Sequence, residues 1–184
     1  NGKQVTPLTT FDCVASEDNS GGANIVFTNQ VTNPVMRVCL QRLGFDGSLR
    51  WPLEGIQLDT AVNYASKYSF QIVQDDKGVI TIGWLVHYNG VVTMDLFIQS
   101  ADSSGIIRWQ NGGIRVSGSL KASNEDYCLI CTKNNRVIVV YPTDRNEYGA
   151  QCFDSTGSIV WREGSVRVSQ GPFLDNAGLN GVTD

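Results

Sequence analysis

The chain has 184 residues, 41% of them hydrophobic and 17% charged, which is ordinary for a folded globular protein and too apolar for a disordered one. Eighteen acidic and 14 basic residues give a net charge of −4 with no long basic run, a balance that repels phosphates and disfavours nucleic-acid binding. No apolar stretch approaches the ~20 residues of a membrane-spanning helix, and the polar opening Asn1-Gly2-Lys3-Gln4 has no apolar run behind it that would make a signal peptide.

Nineteen glycines with few helix-favouring stretches point to short strands and many turns. In chain order, the first strands are expected over residues 11–16 and 23–28, around the turn Asp18-Asn19-Ser20-Gly21-Gly22. A second set follows over 68–73 and 79–84, separated by Asp75-Asp76-Lys77-Gly78. A third set runs over 127–131 and 137–141, separated by Lys133-Asn134-Asn135. Each set leads into a hairpin whose clearest copy is a β-rich run over 94–99, the turn Asp102-Ser103-Ser104-Gly105, and a second β-rich run over 106–109. Asp bonds its own backbone in such turns and Gly accepts positive φ, so this is hairpin chemistry.

The hairpins match position by position. Trp51, Trp109 and Trp161 each follow a glutamine by ten positions (Gln41, Gln99, Gln151) and a glycine by four (Gly47, Gly105, Gly157). An aliphatic residue (Leu49, Ile107, Ile159) stands two before each tryptophan. After it come Gly55-Ile56-Gln57-Leu58, Gly113-Ile114-Arg115-Val116 and Ser165-Val166-Arg167-Val168. Agreement at so many offsets defines one single-domain chain, 1–184, made of three units over about 7–60, 61–118 and 119–170. Each unit is a four-stranded antiparallel meander that buries its faces only by stacking on its neighbours. The fold class is therefore all-β, three blades of a β-propeller, with the β-trefoil as the alternative.

The pattern Gln-x-x-Asp-x-x-Gly-x-x-x-Trp followed by Gly-[Ile/Val]-Arg-Val resembles the blades of tryptophan-repeat β-propellers of secreted and cell-surface bacterial proteins. It is more distantly similar to PQQ-type propeller repeats, in which the hairpin tryptophan docks between blades. Their aspartate-to-glycine spacing is a residue longer, so no quinone, and no other cofactor, is implied. The segments Gly2-Lys3-Gln4-Val5-Thr6 and Pro172-Phe173-Leu174-Asp175-Asn176-Ala177-Gly178 resemble the end and the start of a unit. The expectation is a ring completed by further blades of a longer parent or by a second copy of the chain.

Few residues carry chemistry. The three repeated tryptophans read as packing wedges between blades rather than sugar platforms, because every copy has one. Cys128 and Cys131 form a Cys-x-x-Cys, but residues three apart on a strand diverge and no second pair exists for zinc, so the core reading is preferred and no metal is expected. His87 is the sole histidine. Asp75-Asp76 and Glu17-Asp18-Asn19 lack calcium-loop spacing and read as turns. The connections between second and third strands, 84–91 and 141–148, vary between units, which makes Trp84, His87, Tyr141 and Arg145 the candidate ligand contacts. No catalytic set emerges. The expected function is non-catalytic binding or adhesion, extracellular or at the cell surface, with a carbohydrate or protein partner. The alternatives are a fragment of a sialidase-like glycan hydrolase and a structural spacer.

Overall fold

The computed structural model describes residues 4, 6, 10–32, 35–60, 65–121, 126–143, 145, 147–161 and 164–169. Gly2, Lys3, Val5 and the 172–178 segment lie outside that set. Among the described residues there are twelve strands and no helix. Blade 1 holds β1 (Thr10–Glu17), β2 (Ala23–Thr32), β3 (Val35–Leu43) and β4 (Ile56–Gln57). Blade 2 holds β5 (Ala65–Gln74), β6 (Ile80–Tyr88), β7 (Thr93–Ala101) and β8 (Ile114–Lys121). Blade 3 holds β9 (Cys128–Cys131), β10 (Val137–Pro142), β11 (Tyr148–Phe153) and β12 (Val166–Arg167).

Each blade is a separate four-stranded antiparallel sheet in simple up-and-down order. Strand pairing stays within blades, which removes the β-trefoil. The first strands, β1, β5 and β9, lie beside one another, so the blades fan out from a common inner edge. Registers correspond from blade to blade: Ala23 faces Leu43, Ile80 faces Ala101, and Val137 faces Phe153.

Two expectations need correction. The run from the glycine turn to the tryptophan is not the fourth strand. It makes a single bridge (Leu43 to Leu49, Ala101 to Ile107, Phe153 to Ile159), and pairing resumes only beyond the tryptophan at β4, β8 and β12. The reason is the indole, which leaves the sheet plane to enter the next blade. Trp84 and His87 are also not in a turn, because β6 continues through Tyr88, with His87 paired to Ser66 and Met94.

Apolar packing runs between blades. Trp51 and Leu58 of blade 1 join Phe70, Ile80, Ile82 and Trp84 of blade 2 in one buried cluster. Trp109, Leu96 and Ile98 of blade 2 join Tyr127, Val139 and Phe153 of blade 3 in another. Glycine lets the indoles in. A methyl group at Gly105 would stand 2.8 Å from Trp51 Nε1, and one at Gly157 would stand 2.9 Å from Trp109 Cγ. Contacts that close exclude any larger side chain.

The repeated glutamine has a structural task. Gln99 is fully buried; its Oε1 accepts from Ser100 N at 2.9 Å and its Nε2 donates to Gln110 O at 2.9 Å. Gln41 does the same with Arg42 N (2.9 Å) and Pro52 O (2.7 Å), and Gln151 with Cys152 N (2.8 Å) and Gly164 O (3.0 Å). One amide thus satisfies backbone groups at the kink where the chain leaves and rejoins the sheet.

Polar links also cross between blades. Gln74 Oε1 accepts from Asn24 Nδ2 at 2.6 Å, and its Nε2 donates to Asp18 O at 2.9 Å. Gln71 Oε1 accepts from Leu129 N at 2.9 Å, while Tyr127 O–H donates to Ser69 O at 2.5 Å. Lys67 of blade 2 forms a buried ion pair with Asp59 of blade 1 and donates to Met36 O at 2.8 Å. Asp59 Oδ1 in turn accepts from Val38 N at 2.9 Å.

Candidate functional site

The turns between first and second strands and those between third and fourth strands share one end of the blades, because the strands alternate in direction. At that end a cleft of about 200 Å³ opens between blades 2 and 3. Its lining includes Asp75, Arg108, Trp109, Asn134, Arg136 and Asp154. Their positions follow from the local fold. Asp75 heads the turn from β5 to β6, where Oδ1 accepts from Lys77 N (2.9 Å) and Val79 N (2.8 Å). Asp154 heads the turn after β11, accepting from Thr156 N at 2.8 Å and Ser158 N at 3.0 Å. Asn134 and Arg136 lie on the β9–β10 turn, and Arg108 precedes the wedge tryptophan.

The electrostatics of the cleft are mixed. Hydrogen bonds from the Thr156 hydroxyl and amide, opposed by slight desolvation and helped by Ser158 N and the Arg136 charge, hold the Asp154 carboxyl below its ordinary value. It is ionised at neutral pH. Arg108 and Arg136 are exposed, so their guanidinium groups can turn into the opening. Cys131 also lines the cleft, its thiol pushed up to about 12 by burial and by the charges of Asp75 and Asp76. At neutral pH it is a thiol and no nucleophile. Trp109 is packed between the blades, with its Nε1 donating to Ser155 O at 3.3 Å, and shows the cleft little of its ring.

A wider groove of about 880 Å³ occupies the equivalent place between blades 1 and 2, lined by Glu17, Asp18, Arg42, Gln74 and Asp76 among others. There the Arg42 guanidinium is already engaged, with Nε 3.1 Å from Asp18 Oδ2.

The structure disperses the four residues singled out in sequence. Trp84 is 1% exposed and lies parallel to Phe97 at 6.0 Å, so it offers a ligand no surface. Tyr141 occupies the matching position of blade 3, also buried, with its hydroxyl bonded to Ser165. Phe27 is the counterpart in blade 1. The pairing has a steric logic. Gly113 makes room for the Trp84 ring, a methyl there standing 2.9 Å from it, whereas blade 3 has the smaller tyrosine beside a serine. His87 Nε2 lies 2.7 Å from Val91 O; a carbonyl only accepts, so Nε2 carries the proton. Arg145 lies on the β10–β11 connection, exposed, beside a separate hollow lined by Glu147 and Arg167. Sequence reasoning read Asp75 and Asp154 as turn residues and passed over Arg108 and Arg136. The available signal was their setting: turns of adjacent units with matching offsets must fall at one end of neighbouring blades.

All five cysteines are free. Burial, with the Asp59 charge adding to it, pushes the Cys39 thiol up to about 12. Among the described residues no three His, Cys, Asp or Glu side chains are grouped to hold a metal ion.

No family model matches the chain, and no curated protein matches it. Among solved structures it is similar to an α-L-arabinofuranosidase from Fusarium graminearum, determined with an iminosugar inhibitor, at 12% identity and a TM-score of 0.50. That match covers 86% of this chain and 48% of the other. A glycosyl hydrolase from Bacteroides ovatus matches at 10% identity and a TM-score of 0.46, covering 83% of this chain and 51% of that one. The fold is three blades of a β-propeller. The chain spans about half the length of these structures. At such identities the likeness concerns fold alone, and it carries nothing on the tryptophan-repeat or PQQ-type families.

Proposed function

We propose that the chain is a carbohydrate-binding propeller segment that receives one sugar ring in the cleft between blades 2 and 3. The observation that carries this reading is the composition of that cleft, where two carboxylates, two exposed guanidinium groups, the Lys77 ammonium and the amides of Asn134 and Asn135 line about 200 Å³. Planar donors and acceptors of this kind recognise vicinal hydroxyls or a sugar carboxylate in paired hydrogen bonds. The volume is below the ~300 Å³ floor of ordinary small-molecule sites, which suits a terminal residue rather than an extended chain. The reading includes binding without turnover and a secreted or surface-displayed setting, as in the tryptophan-repeat propellers the hairpins resemble.

A glycan array probed with the chain tests it, alongside Arg108→Ala and Arg136→Ala. Retention of one glycan class, lost by at least tenfold in either variant with the fold intact, is the expected outcome. Equal signals from wild type and both variants would remove the cleft from the account.

A second reading, glycan hydrolysis, is favoured by the propeller glycosidases among the similar structures. Glycosidases need an acid and a second carboxylate about 5–9.5 Å apart across the scissile bond. Turnover of chromogenic glycosides, abolished by Asp75→Asn or Asp154→Asn, would replace binding with catalysis.

A further inference from the structure

The two outer faces of the three-blade stack carry the halves of the joint that is used twice inside it. At each internal joint, the leading blade supplies a wedge tryptophan and two aliphatic residues that follow it. These are Trp51, Ile56 and Leu58 at the first joint and Trp109, Ile114 and Val116 at the second. The receiving blade supplies a glycine turn and an apolar sheet face, represented at the first joint by Gly105, Ile80, Ile82 and Ala101. Blade 3 has the same wedge on its outer face, but there Trp161 is only half-buried, and Val166 and Val168 are 50% and 57% exposed. Leu58, which corresponds to Val168, is 2% exposed. Blade 1 has the same receiving face. Ala23, Ile25 and Leu43 are half-exposed, although their counterparts Ile80, Ile82 and Ala101 are fully buried. At Gly47, the counterpart of Gly105 and Gly157, φ is +73° and an added methyl would meet nothing within 4 Å, whereas the other two glycines meet an indole.

We infer that two copies of this chain close one ring, each inserting Trp161, Val166 and Val168 into the face around Gly47 of the other. The occupant follows from continuity with the internal joints: the face around Gly47, uncovered among the described residues, has the geometry that accepts a tryptophan hairpin of this repeat, and a second copy carries that hairpin exposed. Three blades from each copy make six, within the roughly 4–8 blades that close a propeller. A head-to-tail contact repeated by a two-fold rotation along the propeller axis closes rather than propagating. Contiguous aliphatic exposure of this kind marks an association surface. This inference is independent of the carbohydrate reading.

The test is the solution mass of the full 184-residue chain by light scattering and sedimentation, with near-UV circular dichroism reporting the fold. The expected mass is twice the 20.1 kDa of one chain. Trp161→Ala and Val166→Asp are expected to halve it. Val166 is exposed on the short outermost strand β12, so its variant keeps the test decisive if loss of the indole unfolds blade 3. Three results overturn the inference: a wild-type monomer with a native spectrum, a dimer unchanged by both substitutions, or an open series of larger oligomers.

Discussion

Replacing Gln99 by leucine, which has nearly the same volume, isolates the polar role of the repeated glutamine. The wild-type amide satisfies the fully buried Ser100 N–H and the partly buried Gln110 carbonyl. Leucine keeps the packing, leaves Ser100 N–H without its partner, and removes one of two hydrogen bonds at the Gln110 carbonyl, which keeps Gly113 N–H at 3.0 Å. A buried orphan costs about 1–3 kcal/mol, and the hydrogen bond lost at the Gln110 carbonyl about 0.5–1.5 kcal/mol. The expected loss is therefore about 1.5–4.5 kcal/mol. In a domain of this size each kcal/mol lowers Tm by about 2–4 °C, so calorimetry should show a fall of roughly 3–18 °C. Gln41→Leu and Gln151→Leu should show similar losses, because their amides bridge the same two kinds of backbone group. Ser104→Ala, on the exposed turn nearby, should stay within about 0.5 kcal/mol of wild type. A Gln99→Leu protein as stable as wild type would refute the reasoning, since the buried Ser100 N–H would then have another partner.

Further outcomes follow from the joints between blades. Trp109→Ala empties the second joint and should cost about 3–5 kcal/mol in urea unfolding, the range for truncating a buried aromatic residue; a loss under 1 kcal/mol would contradict its role as the wedge. Lys67→Met leaves the Asp59 carboxylate buried without its cation and should cost about 3–5 kcal/mol, part of which Asp59→Leu in the same chain should restore. If the double variant is less stable than the single one, the pair is not what holds that corner. The Cys131 thiol, raised to about 12 chiefly by burial, should be alkylated at pH 8 about a thousandfold more slowly in the native chain than in urea, as read by peptide mass mapping. The sign for stability is the same at Cys39 and Cys131. The fold favours the protonated thiol, so this contribution is complete below the ordinary thiol value near 8.5 and is lost as pH rises towards 12.

How much of this was legible in sequence depended on whether neighbouring residues set the structure. The Asp102 and Asp154 turns form from local hydrogen bonds to their own backbone, and they sit where the sequence pattern puts them. The wedge role of Trp51 and Trp109 was also readable, because only a shared scaffold need explains an indole at the same offset each time. The position of the fourth strand was not readable in that way. Residues 106–109 are as β-prone as residues 114–116, and what separates them is the demand of the next blade for the indole, a non-local cause. Trp84 and Tyr141 looked like loop aromatics for the same reason. Their burial depends on Gly113 and Ser165, which are distant in sequence, and on a neighbouring blade that no local pattern reveals. The cleft is harder still, since Asp75, Arg108, Arg136 and Asp154 meet only after two blades have stacked.

Nuclear Overhauser spectroscopy on the labelled chain tests the central arrangement most directly. Indole insertion into the next blade predicts cross-peaks from the Trp51 ring to the Gly105 α-protons and from the Trp109 ring to the Gly157 α-protons, with those glycine signals displaced by ring current. If both glycines show only contacts within their own hairpins, the blades do not stack through their tryptophans and the architecture described here is wrong.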